Sequence, residues 1–274
     1  MLKQRVITAV VLMLVLLSVL FLLPPIAFTL LVTLILAEGA FEWTALSGVS
    51  NVYRRLLYVA GLFVLGFAVS QSTPELVKAL LAIAVAWWWL AFVFVLRFPA
   101  SNRLLKHKAF LLFVGVVVLL PGWFAFSVLQ QLPGSRYFYV LWFIALVAAA
   151  DTGAYFSGKA LGRHKLAPAV SPNKTWEGFV GGVLLTCVVA VVGARLGPIP
   201  ALQVVSLPLL LVAAIVLALL SVVGDLFESL LKRLQNMKDS GTILPGHGGV
   251  MDRLDSITAA LPLYALLLTT VLQP

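Results

Sequence analysis

VVSLPLLLVAAIVLALLSVVGDLFESLLKR, residues 204–233, begins as nearly unbroken hydrocarbon and ends in charge. About 20 apolar residues, rising 1.5 Å each, cross the core of a bilayer as a helix. Counted from residue 204, the far boundary falls near residue 223, so Asp225 stands just past it. Asp225, Glu228, Ser229 and Lys232 are spaced i, i+3, i+4 and i+7, which places them on one helix face. A carboxylate at that depth, level with the phosphates of a bilayer, is costly unless paired or liganded. The continuation LQNMKDSGTILPGHGGVMDRLDS, residues 234–256, loses the helical pattern at Gly241, Pro245 and Gly246-His247-Gly248-Gly249. Glycines there allow a tight bend and let backbone N–H groups approach a phosphate. Asp252 and Asp255 follow at i, i+3, placed to hold a hard cation or to cap the next helix. Residues 221–256 carry five of the ten carboxylates together with Lys232, Arg233, Lys238 and Arg253. That density, in a chain otherwise made of hydrocarbon, points to metal-assisted phosphate chemistry.

The rest of the 274 residues set the frame. The chain is 62% hydrophobic and only 11% charged, against about 25% charged in ordinary soluble domains. It reads as an all-α, polytopic integral membrane bundle. Apolar runs at 6–23, 26–46, 55–71, 76–96, 109–131, 136–158, 175–196, 204–233 and 256–272 give about nine spans. The first run is longer than a signal-peptide core and lacks a small-residue cleavage site, so it reads as a retained helix. No repeat or soluble segment interrupts the pattern. The expectation is one membrane-embedded domain over 1–274, with N-terminal helices in 1–135 and site-bearing helices in 136–274. Cys187 is the sole cysteine, which rules out an intrachain disulfide. In such a chain a net charge of +9 sets orientation and meets anionic lipid, and does not imply nucleic acid.

A second polar segment is Asp151-Thr152-Gly153-Ala154-Tyr155, followed by a basic loop and then Ser171-Pro172-Asn173-Lys174-Thr175-Trp176-Glu177-Gly178. Ser171 or Asn173 can cap the seventh helix, and Lys174 and Thr175 sit where its positive end favours an anion. Taken alone, this could equally be a helix cap with a cytoplasmic lysine. Gly178 and Gly182 form a GxxxG packing face. Glu38 and Glu42 share a helix face and are expected to satisfy polar partners inside the bundle. Trp87-Trp88-Trp89 reads as packing. His247 could move a proton or serve only as a hydrogen-bonding scaffold.

These strings resemble the shared blocks of one family. Ser229, Lys232-Arg233, Lys238-Asp239, His247-Gly248-Gly249, Asp252-Arg253 and Asp255 fill the fixed places of the signature of the phosphatidate cytidylyltransferases, the CDP-diacylglycerol synthases, of bacterial type. The Asp151 and Ser171–Gly178 segments are similar to that family's other blocks. The resemblance covers roughly the last 125 residues, and the first five spans match in character only.

The resemblance implies transfer of CMP from CTP to phosphatidic acid, giving CDP-diacylglycerol and pyrophosphate for phospholipid biosynthesis. It implies a bacterial inner-membrane enzyme with its site on the cytoplasmic face and a homodimeric state. Asp225 and Asp252 are assigned to Mg²⁺, beside which the family is associated with K⁺. Catalytic roles are expected for Asp225, Asp252, Lys232, Lys238 and Asp239. Substrate contacts are expected from Asp151, Ser171, Lys174, Thr175, Glu177, Arg233, His247, Gly248, Gly249, Arg253 and Asp255. Two alternatives stand beside it. A CTP-dependent polyprenol or phytol kinase would use similar groups at the γ-phosphorus. A secondary transporter would line a pathway with them, but transporters carry such groups near the midplane.

With the N-terminus inside, sixteen of the nineteen Lys and Arg fall on the cytoplasmic side, leaving only Lys78, Arg136 and Arg195 opposite. A topology reporter fused within residues 97–108 is expected to give a cytoplasmic signal, and one fused after the last helix a periplasmic signal. Cytoplasmic signal from both would mean that the spans are miscounted.

Overall fold

The structure, a computed structural model, describes residues 2–100, 102–244, 246 and 248–272; the side chains of 2–6, 9 and 102 are not described. His247, named above, lies outside the described residues. The elements run α1 (Leu2–Leu22), α2 (Pro25–Leu46), α3 (Val52–Ser70), α4 (Pro74–Leu96), α5 (Asn102–Leu105), α6 (Lys108–Gln131) and α7 (Arg136–Leu161). A hairpin of β1 (Lys165–Ala167) and β2 (Ser171–Thr175) follows. The chain ends with α8 (Trp176–Leu196), α9 (Pro200–Gln203), α10 (Leu207–Leu234) and α11 (Met251–Leu272). Each apolar run has become a helix. Among the described residues, eight helices are long and apolar enough to cross a membrane, and the apolar part of α1 is the shorter Val10–Leu22. This is a polytopic helical bundle, with one two-stranded antiparallel hairpin as its sheet among the described residues.

Local chemistry sets the boundaries. Pro24 and Pro25 end α1 and open α2, because proline fits the first helical turn but not a helix interior. Asn51, Thr73 and Ser135 each accept a backbone N–H as N-caps of α3, α4 and α7. Two boundaries differ from expectation. The run from residue 204 becomes helical only at Leu207, after the short turn α9. The last helix begins at Met251, five residues before its apolar run. A polar first turn can be helical because Glu42 of α2 accepts the N–H groups of Val250 at 3.0 Å and Met251 at 2.8 Å. These are amides that a helix start leaves orphaned.

The core is organised around α11, the most buried of the spans, with 67% of its apolar window inside. It packs against α10, α6, α4, α2 and α7. Trp88 of α4 donates its indole N–H to Thr258 O at 3.1 Å, and Trp87 and Trp88 both meet the edge of Phe227. Trp43 ties α2 to Leu111 O of α6 at 2.7 Å. Trp43 and Trp88 are thus packing groups whose one polar atom finds a carbonyl, whereas Trp87 packs with its indole N–H buried and without a hydrogen-bond partner. By contrast, α3 is mostly exposed along its length.

Between α7 and α8 the contact is made by small residues. On α8 the buried positions are Gly178, Gly182, Thr186, Ala190 and Ala194, a stripe repeating every four residues. A Cβ at Gly182 would lie 2.6 Å from Ala150 O, and one at Gly153 would lie 2.5 Å from Gly181 O. The GxxxG face is therefore a close backbone approach, as expected for helices associating by packing.

Candidate active site

The polar segments converge at the end of α10. Asp225, Glu228, Ser229 and Lys232 do share one face of that helix. Lys174 reaches in from β2 and places its Nζ 2.6 Å from Asp225 Oδ2, while Ser229 Oγ donates to Asp225 Oδ1 at 3.3 Å. Lys232 stands between two helices, its Nζ 2.5 Å from Asp252 Oδ1 on α11 and 3.6 Å from Glu228 Oε1. Two lysine–carboxylate pairs thus frame the site, one across β2 and α10, the other across α10 and α11.

The positions of these lysines have local causes. Residues 171–175 are extended in β2, paired back onto β1 with Ala167 opposite Ser171 and Lys165 opposite Thr175. The cap of α8 is consequently Thr175, whose Oγ1 accepts Gly178 N at 3.1 Å, and not Ser171 or Asn173. Because the strand runs on to Thr175 and α8 begins only at Trp176, Ser171 and Asn173 lie too far upstream to cap it. Arg233 Nε donates to Val170 O at 3.4 Å, fastening α10 to the hairpin that carries Lys174.

Asp252 is the most tightly held group. Its Oδ2 accepts Gly249 N at 2.8 Å and Ser240 N at 3.0 Å, and Ser240 Oγ lies 3.1 Å away. Gly249's amide, expected to face a phosphate, therefore seats a carboxylate instead. Gly248 adopts φ +80°, and a Cβ on it would lie 2.6 Å from Asp252 Oδ2 and 3.3 Å from Asp239 Cβ. The glycine turn is thus a close approach between backbone and acidic side chains. Behind Asp252 lies Glu228, 1% exposed, with neither carboxylate oxygen hydrogen-bonded. Asp255, also buried, is near enough to interact with both Glu228 and Asp225, and its Oδ1 accepts Ser256 N at 2.6 Å.

The structure thus brings together Lys174, Asp225, Lys232, Gly249, Asp252 and Asp255. Asp151 on α7 is within electrostatic range of Asp225, Lys174 and Arg253. Glu177 turns to the loop before the hairpin, accepting Arg163 N at 3.1 Å and His164 N at 3.2 Å and pairing with His164 Nδ1 at 2.6 Å. Lys238, Asp239, Arg233 and Arg253 lie on the exposed rim. Three residues were missed as site groups from sequence: Glu228, Ser240 and Glu42. Glu228 carried a signal, since it shares the face of Asp225 and Lys232. Ser240 carried none. Among the described residues no three His, Cys, Asp or Glu side chains form a metal cage by themselves. Mg²⁺ commonly takes only one or two carboxylates together with substrate phosphates.

Comparison with known proteins gives the chain a family. The sequence model described as the cytidylyltransferase family matches residues 3–271. The chain is 42% identical over 268 residues to a phosphatidate cytidylyltransferase of Pseudomonas aeruginosa, covering 98% of this chain and 97% of that protein. It is 35% identical over 283 residues to one of Haemophilus influenzae, covering 97% and 98%. It is 44% identical over 130 residues to one of Bacillus subtilis, covering 47% of each.

Lys174 and Asp225 are both partly exposed, so their pair contributes little to folding, about 1 kcal/mol or less. Lys174→Ala is expected to keep the melting temperature within a few degrees yet raise KM for CTP about tenfold, the loss of one charge-assisted contact. Lys174→Arg is expected to retain part of the affinity. Unchanged KM in the alanine variant would leave Lys174 only a structural partner of Asp225.

Proposed function

The chain belongs to the cytidylyltransferase family, and from that membership we infer that it is a phosphatidate cytidylyltransferase. It transfers CMP from CTP to phosphatidic acid, yielding CDP-diacylglycerol and pyrophosphate. The observation that carries this assignment to particular residues is the double frame Lys174–Asp225 and Lys232–Asp252. Two cations held beside a concentration of carboxylates suit a substrate with several phosphates better than a neutral one.

In the reaction, a phosphate oxygen of phosphatidate attacks the α-phosphorus of CTP. The P–O bond to the β-phosphate breaks, and its electron pair leaves with pyrophosphate. The attacking oxygen is already ionised at neutral pH, so no side chain needs to remove a proton. Transfers of this kind depend on positioning and on neutralising charge. Lys174 and Lys232 are positioned by their aspartates and would meet phosphate oxygens, with Arg233, Lys238 and Arg253 on the rim.

Hard carboxylate oxygens, and a buried Glu228 whose Oε1 meets Lys232 at 3.6 Å but whose oxygens accept no hydrogen bond, suit the donor set of a cation site. Asp225 and Asp252 would hold Mg²⁺, which when bound supplies charge neutralisation at the triphosphate. Glu228 and Asp255 fit a second, weaker cation such as K⁺. The site opens on the cytoplasmic face in this proposal, supported by the sixteen basic residues on that side. That side supplies CTP from solution and phosphatidate from the inner leaflet.

With CTP labelled at the α-phosphate, label is expected to enter lipid only when phosphatidate is supplied, with one pyrophosphate released per lipid. Label left in CDP, with a polyprenol as acceptor, would overturn the assignment in favour of γ-phosphoryl transfer. Asp225→Asn and Asp252→Asn keep shape while removing an anionic oxygen, and each is expected to lower turnover about a hundredfold or more without unfolding the bundle. Chelation should silence the wild type and Mg²⁺ restore it. Near-normal turnover and metal dependence in either variant would displace the cation site from that residue.

A further inference from the structure

Glu42, in the first half of the chain, reaches the site segment through hydrogen bonds to three of its residues. It is 2% exposed on α2. Its Oε1 accepts Val250 N at 3.0 Å, and its Oε2 accepts Met251 N at 2.8 Å and lies 2.8 Å from Ser240 Oγ. Ser240 in turn gives its backbone N–H to Asp252 Oδ2 and accepts Asp252 N at 3.3 Å through its hydroxyl. A hydroxyl has one proton to give. The shorter contact directs it to Glu42, leaving backbone amides to hold Asp252.

The turn is also shaped around Glu42 sterically. A Cβ at Gly241 would lie 2.1 Å from Glu42 Oε1. One at Gly249 would lie 2.4 Å from Glu42 Oε2 and 2.2 Å from Ser240 Oγ. Both glycines are therefore required by the carboxylate and its serine, apart from any phosphate.

We propose that Glu42 is a positioning residue for the transfer reaction. It clamps Ser240 and the first amides of α11, and so fixes the carboxylate of Asp252. Glu42 itself touches no substrate. The proposal rests on the role given to Asp252 above.

Glu42→Gln tests it with almost no change of volume. Both oxygens accept a backbone N–H, so whichever way the amide lies, its NH₂ meets a backbone donor. Hydrogen exchange read without substrate is expected to rise about tenfold or more across residues 240–252 and to stay unchanged in α7 and α8. The kcat is expected to fall about 10- to 100-fold, the usual effect of losing a group that orients a ligand, with KM for phosphatidate within about twofold. Glu38→Gln, one turn away on the same helix, is expected to change neither quantity.

Ser240→Ala removes the link while leaving the Glu42 carboxylate its two backbone donors, and its effect on kcat should be non-additive with that of Glu42→Gln. Unchanged exchange over 240–252, exchange raised evenly through the whole bundle, or additive effects on kcat would each overturn the clamp. Should Glu42→Gln not fold, Ser240→Ala decides alone: normal exchange and kcat in that variant overturn the clamp. Wild-type protein that failed to transfer CMP would overturn the assigned reaction. Exchange would still report on the clamp.

Discussion

The carboxylate of Asp252 is held by Lys232 and by the backbone amides of Ser240 and Gly249, all at the end of a bundle built from hydrocarbon. A carboxylate in such surroundings is stable only if its charge is met, and each partner that meets it must come from somewhere. Lys232 comes from α10, Ser240 and Gly249 from the connecting turn, and Glu42 from α2 fixes that turn. Much of the geometry near the site follows from this one requirement. The glycines are small because acidic side chains press against them. The first turn of α11 is helical because Glu42 accepts its amides. α11 starts at the polar boundary and then runs inward as the core of the bundle.

The spans were legible because hydrocarbon is the plainest message a sequence can carry. A run such as residues 207–223 has no alternative to crossing or filling an apolar phase. The shared face of Asp225, Glu228 and Lys232 was legible for the same reason, since helix periodicity fixes which side chains meet. What could not be read was anything that depends on pairing between distant segments. The hairpin of β1 and β2 has only eight residues, with a proline in β2, and its sequence looks like a loop with a cap. Only its pairing shows that Lys174 arrives on a strand and that Thr175 takes over the capping. Ser240 is likewise one serine among many until the turn folds beside Asp252.

Glu42 was read as satisfying polar partners within the bundle, and it does so. What the sequence withheld was the identity of those partners. The GxxxG on α8 shows the opposite case: a local spacing that determines its own partner surface, because only small residues let two backbones come that close. Lys174 is then carried on a hairpin attached to a rigid α7–α8 pair, and Arg233 fastens that pair's loop to α10.

The separation between Glu42 and its partners, 198 to 209 residues, has a consequence for biosynthesis. During synthesis α2 enters the bilayer long before the turn and α11 have been made. Through that interval Glu42 has none of its native donors, a condition unfavourable inside a membrane. Final closure of the helices must wait for the last span to arrive and supply them. A chain truncated before Ser240 would therefore lack Asp252 and Asp255 and also leave an unmet charge among its early helices. Quality-control proteases that recognise polar groups exposed within the bilayer would then have a ready mark for incomplete copies.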